Sequence, residues 1–438
     1  MKPLLLGSVI VLVLGQICFY VLNSLLRTPA TPVLEEVCWG KEENCGKDDR
    51  SIRPFKINVS KQVLDDLHYR LKNAIIPEPI ENSKQHYGFN GNTLKEVVHY
   101  WLHKYDWNQR EAYLNKFPHF KTRIQGLDIH FIHIKPKVNP GTPLYPLLIC
   151  HGWGGSIREF YDVIPILTNV HKEYGFAFEV VVPSLPGFIF SEATTKPGMG
   201  AAQMSLILRN LMLRLGHEKF YLHGGDWGSV VVKDLGTLFP ENVLGLHCTL
   251  AMSVSKVSWM KFLVGSVFPR LVVSKEFEHQ MYPISEKIYN FLMETGYYHI
   301  QVTKPDTVGA AIANSPVGLA AYLLEKFSTL ANAAYKDRDD AGLLERIYYE
   351  SSTNEQANFS DIPIDPKIPC AVARFPNEVL YQPDCILRDK FPNLIQSTDF
   401  NEGGHFAAME NGLAEPFAQD IFSAVNKMRD LSNEVKKI

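Results

Sequence analysis

The segment Phe220-Tyr-Leu-His-Gly-Gly-Asp-Trp-Gly-Ser229 decides the fold of this chain. Phe220–His223 is a short apolar run that reads as a buried strand, and Ser229–Phe239 reads as a helix. Between them stands Gly224-x-Asp226-x-Gly228. A strand that becomes a helix over so few residues needs small residues two before and two after its tip, because the turn is strained and closely packed. Such an elbow lifts residue 226 to the carboxyl edge of a sheet and leaves its side chain free. A carboxylate in that place is a nucleophile toward an electrophilic sp³ carbon. It forms an alkyl ester that an activated water must then cleave. Epoxides and alkyl halides are electrophiles of that kind.

Working outward, apolar runs at Leu144–Cys150, Phe176–Val182 and Val243–Leu250 read as further strands, with a helix at Ala201–Leu215. Strands alternating with helices predict a mostly parallel sheet covered on both faces. From about residue 255 to 365 the alternation stops and the pattern is helical, loop-rich and aromatic, as expected of a lid inserted between two halves of a sheet. A strand returns at Ile368–Phe375, and Phe417–Met428 reads as a closing helix with Pro416 at its start. Residues 51–125 read as helical and aromatic, with helices near Ser60–Lys72 and Leu94–Tyr105, and Gly126–Pro136 alternates as a strand. The expected division is 1–26 membrane anchor, 27–50 linker, 51–140 N-terminal domain, 141–254 first part of the α/β core, 255–366 helical lid and 367–438 second part of the core.

Composition narrows the function. Lys+Arg 44 against Asp+Glu 47 leaves a net charge of −3 over 438 residues, without the basic excess of a nucleic-acid binder. Pro3 to Leu26 carries no charged residue and is long enough to span a bilayer as a helix of about 20 residues. Arg27 closes the run where a signal peptide would end in small residues, so an uncleaved anchor is expected. Lys2 and Arg27 flank the run almost symmetrically, so charge does not set its orientation. Cys38 and Cys45 are candidates to pair in an oxidising compartment, whereas Cys150, Cys248 and Cys370 sit in apolar runs as core thiols. No cysteine spacing matches a zinc site. Asn58-Val59-Ser60 and Asn358-Phe359-Ser360 are glycosylation sequons, relevant only on a lumenal body.

The partners of Asp226 are expected later in the chain, acid before histidine. Gly403-Gly404-His405-Phe406 supplies the histidine, and Phe375-Pro376-Asn377-Glu378 places a carboxylate just after a strand. Glu378 would hold the imidazole tautomer while His405 deprotonates the water. Asp399 is the alternative acid. The loop His151-Gly-Trp153-Gly-Gly-Ser156 follows a strand, and its backbone N–H groups, Trp153 among them, would form an oxyanion hole with that of Trp227.

With these residues the chain resembles the microsomal epoxide hydrolases, including the juvenile-hormone epoxide hydrolases of insects. The resemblance runs from end to end, through the N-terminal anchor, Tyr105-Asp106-Trp107, Phe117-Pro118-His119-Phe120, His151-Gly-Trp153, Gly224-Gly-Asp226-Trp227-Gly228, Phe375-Pro376-x-Glu378 and Gly403-Gly404-His405-Phe406-Ala407-Ala408. It implies an α/β-hydrolase fold with a helical lid, and two lid tyrosines that protonate the epoxide oxygen. Tyr297 matches one, and Tyr348 the other, with Tyr349 as its neighbour and alternative. It further implies hydrophobic epoxide substrates, no cofactor or metal, a single-pass endoplasmic reticulum anchor with a cytosolic catalytic part, and coupling to membrane monooxygenases. A haloalkane dehalogenase would share the elbow, but it needs indole donors for halide where this chain offers phenols. A non-catalytic lipid binder would have no need of all three of Asp226, Glu378 and His405.

Three departures stand out. Gly154 occupies the place where the family usually has proline. Ile189 in Pro186-Gly-Phe-Ile-Phe-Ser191 replaces a glycine, which strains the backbone if the position needs a positive φ. The lid around Arg346–Ile347 is about one helix shorter than the family's.

Overall fold

The computed structural model describes residues 30–46, 49–84, 86–331 and 362–435, with 13, 15, 16, 19 and 20. Nine strands form one sheet in the order β1-β2-β3-β5-β4-β6-β7-β8-β9. They are β1 Arg53–Phe55, β2 His119–Ile124, β3 Leu127–Ile134, β4 Leu144–Cys150, β5 Ala177–Pro183, β6 Phe220–Gly224, β7 Val243–Cys248, β8 Cys370–Arg374 and β9 Leu394–Asp399. From β5 to β9 neighbours run parallel, and β1, β2 and β3 add on antiparallel beyond β5. The predominantly apolar runs follow from this: every residue of β5 is buried, because helices cover both faces, and its one acid, Glu179, is paired with His133, Lys135 and His217. One apolar cluster packs Leu148, Leu222 and Leu246 against helices Ala201–Arg214 and Asp226–Leu238. The other packs Leu147, Ile149 and Tyr221 against the helix Ala414–Val435.

Two readings need correction. The segment 51–125 is not wholly helical, since it opens with β1 and closes with β2. Both are short, and β2 carries Lys121 and Arg123 among its outward positions, so neither shows an apolar run. The closing helix begins at Ala414, before Pro416, not after it. Proline is tolerated there because the first turn needs no N–H. The chain preceding β1 is pinned by the Cys38–Cys45 disulfide and by Trp39, buried, whose N–H donates to Gln125 O at 2.7 Å.

Among the described residues six lid helices follow β7: Lys256–Val267, Glu278–Met281, Ile284–Glu294, Gly296–Thr303, Pro305–Ala313 and Pro316–Leu330. The first shows Trp259, Leu263 and Val267 to solvent. Nearly all of the expected anchor, and Tyr348 with the short-lid junction, lie outside the described residues. Among the described residues no single helix is long and apolar enough to cross a membrane. One pair, Pro305–Ala313 and Pro316–Leu330, passes on length and composition together but is bent by 119°.

Candidate active site

Four loops leave the carboxyl ends of β4, β6, β8 and β9 and converge. The elbow after β6 is as tight as its glycines imply. A Cβ on Gly228 would lie 2.2 Å from Cys150 O, and one on Gly152 would lie 2.3 Å from the Asp226 Cβ. Asp226 itself has φ +49, a left-handed conformation that L-residues adopt at a cost of about 1–2 kcal/mol. That strain turns the carboxylate out of the helix Asp226–Leu238 and into the cleft.

Two groups meet the carboxylate there. The Trp153 backbone N–H donates to Asp226 Oδ1 at 2.7 Å, and His405 Nε2 lies 3.4 Å from Oδ2. On the far side of the imidazole, Nδ1 is 2.6 Å from Glu378 Oε1. The His405 and Glu378 side chains are each 5% exposed, against 20% for Asp226. Burial disfavours a charge on His405, but the Glu378 charge, hydrogen bonds to Asp226 and Glu378 and the Asp226 charge outweigh it, raising its pKa well above the ordinary imidazole value. The acid is therefore Glu378. Asp399 is held instead by a two-pronged pair with Arg374, at 2.7 Å from Nε and 2.9 Å from Nη2. Trp227 follows Asp226 in the first turn of its helix, where backbone N–H groups point out of the helix end. His151 plays a structural part: its Nε2 accepts the Leu185 N–H at 3.2 Å, and burial lowers its pKa to about 4.

The lid supplies aromatic groups above this. Tyr297 stacks on Trp153 with centroids 4.9 Å apart, which brings it beside the residue whose N–H holds Asp226. Tyr322 meets Trp153 edge-on at 6.1 Å, and its hydroxyl accepts from Gln301 Nε2 at 2.9 Å. Tyr322 and Gln301 lie in helical stretches with no motif to mark them, and the sequence reading passed over both. It also passed over Glu159, a buried acid one turn beyond the Trp153 loop. Both departures at this site have structural expression. Gly154 has φ +77, an angle closed to proline, so this loop takes a path a prolyl loop does not. Ile189 has φ +48, the strained conformation its substitution for glycine implies. Among the described residues, one group has donors close enough to share an ion: His133, Glu179 and His217. It lies toward the opposite edge of the sheet, and Lys135 Nζ, 3.1 Å from Glu179 Oε2, already balances the carboxylate.

Comparison with known proteins agrees with this geometry. A model of the epoxide hydrolase N terminus matches residues 52–160, and a model of the alpha/beta hydrolase fold matches 145–281. Juvenile hormone epoxide hydrolase 2 of Ctenocephalides felis is 44% identical, over 96% of this chain and 94% of its own length. Epoxide hydrolase 1 of Sus scrofa is 41% identical, over 89% and 92%. The crystal structure of juvenile hormone epoxide hydrolase from Bombyx mori superposes with a TM-score of 0.85 at 40% identity, covering 91% of this chain and all (100%) of that one. Relatives this similar along nearly the whole length, sharing the sheet that carries the Asp226 elbow, make the chain a member of the epoxide hydrolase family and an epoxide hydrolase.

Proposed function

We propose that the chain opens lipophilic epoxides to vicinal diols through a covalent ester on Asp226. The observation that carries this is the convergence of the Trp153 N–H and His405 Nε2 on one carboxylate, with Glu378 behind the histidine. In the resting site His405 is an imidazolium held between two carboxylates. Asp226 attacks an epoxide carbon, the C–O bond breaks, and Tyr297 gives its proton to the leaving oxygen. The tyrosinate recovers a proton from solvent, and His405 releases one in turn. Once Asp226 is an ester, its charge no longer supports the imidazolium, and burial drives His405 toward the neutral form. Neutral His405 then takes a proton from water, which attacks the ester carbonyl. The Trp153 and Trp227 N–H groups stabilise the tetrahedral oxyanion. Its collapse expels the diol's alkoxide, which takes the remaining proton of the added water; Asp226 returns as a carboxylate beside the imidazolium, and the diol leaves. The resemblance supplies the second phenol of this scheme as Tyr348, with Tyr349 as the alternative.

The relatives' names and the apolar, aromatic surroundings of Trp153 support substrates of the juvenile-hormone type, with xenobiotic arene and alkene oxides as a second group. Such oxides are products of membrane monooxygenases, and hydrolysing them is detoxification, aromatic-hydrocarbon breakdown included. The uncharged run Pro3–Leu26 supports a single-pass anchor in the endoplasmic reticulum membrane. The Cys38–Cys45 disulfide favours an oxidising compartment for the body, opposite to the cytosolic side that the resemblance implies.

The test is a single turnover in ¹⁸O-water with enzyme in excess over trans-stilbene oxide. The first diol is expected unlabelled, with the label in the peptide containing Asp226. Label in that first diol means direct attack by water and overturns the ester. Tyr297→Phe is expected to slow ester formation by about 10²-fold, the range of a general acid, and to leave ester hydrolysis within about 3-fold. Rapid-quench measurement of the two steps separates these.

A further inference from the structure

Glu159 lies in the short turn that follows the Trp153 loop, with its side chain buried and no hydrogen bond to its carboxyl group among the described residues. A Cβ on Gly155 would sit 2.6 Å from Glu159 Oε2, and one on Gly225 would sit 3.9 Å from Oε1. The carboxyl group is therefore wedged between the loop that bonds Asp226 and the residue that precedes it. On its other side it lines a cavity of about 320 Å³, bounded by Tyr105, Trp107, Ser156, Leu319 and Met409. A buried carboxyl group without a protein partner takes its hydrogen bonds from water. The neighbouring cavity can supply that water, and the neighbouring triad consumes one per turnover.

We infer that Glu159 is a positioning residue for the hydrolytic step, holding the water that His405 deprotonates at the boundary between this cavity and the triad. The inference rests on the ester mechanism above. Its electrostatics agree with the geometry. Burial pushes the Glu159 pKa up to about 8; the His405 charge opposes this, and the Asp226 and Glu378 charges add to it. Arg158, beside it in the chain, is paired with Asp162 at 3.2 Å. At neutral pH Glu159 is a neutral acid, able to donate to and accept from a water without adding a second negative charge beside the oxyanion. Ionisation above about pH 8 adds that charge and slows ester hydrolysis.

The experiment compares Glu159→Leu and Glu159→Gln with wild type by rapid quench, following ester and diol separately. Glu159→Leu is expected to slow ester hydrolysis by 10-fold or more, within the reach of general acid–base effects of about 10²–10⁴-fold. Ester formation should stay within about 3-fold, so the ester accumulates on the Asp226 peptide. Glu159→Gln, whose amide also binds water, should recover most of the hydrolytic rate at pH 7 and lose the decline above pH 8. Equal slowing of both steps in Glu159→Leu, or unchanged hydrolysis, overturns the inference. If the leucine variant does not fold, the glutamine variant decides alone: an alkaline decline like that of wild type overturns it. The ¹⁸O position in each variant is a separate readout. Label in the first diol defeats the ester mechanism itself, whereas label on Asp226 with unchanged rates defeats only the role of Glu159.

Discussion

Asp226→Ala removes diol formation, with a loss on the order of 10⁵-fold or more, the scale seen when a covalent nucleophile is deleted. The loss is this large because no other group can take its place. The Trp153 N–H and His405 Nε2 both point at this carboxylate, and Glu378 is engaged on the far side of the imidazole. Without Asp226 there is neither a nucleophile nor an ester for the activated water to attack. Alanine at φ +49 bears the left-handed cost of about 1–2 kcal/mol without the local hydrogen bonding that eases it for Asp or Asn. Asp226→Asn, whose side chain tolerates that conformation better, is therefore the companion variant, and thermal unfolding shows whether each is folded. Folded protein of either kind should give no covalent adduct with trans-stilbene oxide. Full turnover in Asp226→Ala would remove the basis of the whole mechanism.

His405→Gln should give the opposite signature. Ester formation uses the carboxylate and the lid phenols, so it survives within about 10-fold. Ester hydrolysis loses its base and falls by about 10³–10⁴-fold, the upper range for general-base catalysis. One equivalent of epoxide is then consumed rapidly and little diol follows. Intact-mass analysis should show the adduct, and digestion should place it on the peptide containing Asp226. Steady diol production without an adduct would mean that another group activates the water. In the proposed scheme the raised pKa of His405 makes base function appear only after the first step. The imidazolium is stabilised by the charge on Asp226, and forming the ester removes that charge.

How far each feature was legible depended on whether its physical requirement is local. The elbow was legible because three neighbouring positions must be small for the backbone to make the turn, and Gly224, Gly225 and Gly228 say so directly. The parallel strands were legible because burial on both faces makes consecutive residues mostly apolar, with a charge such as Glu179 tolerated only where it is paired. β1 and β2 were not, since strands this short with outward charges look like loop until a neighbour pairs with them. Glu378 was the candidate acid in sequence and Asp399 its rival, each at the end of a strand before His405. Only the fold separates them, by placing Arg374 where it takes both oxygens of Asp399.

By itself, then, the sequence marked a mostly parallel sheet covered by helices and a candidate nucleophile on its elbow, because those follow from residue types at fixed short spacing. The tertiary structure alone decided which acid faces His405, that Tyr297 stacks on Trp153 beside Asp226, that Gly154 and Ile189 hold left-handed angles, and that Glu159 is buried against the Trp153 loop at the edge of a cavity. Each of these is a contact or an angle imposed by chain segments distant in sequence. The energies that select it, a desolvated charge or a close approach of backbones, exist only once those segments have packed.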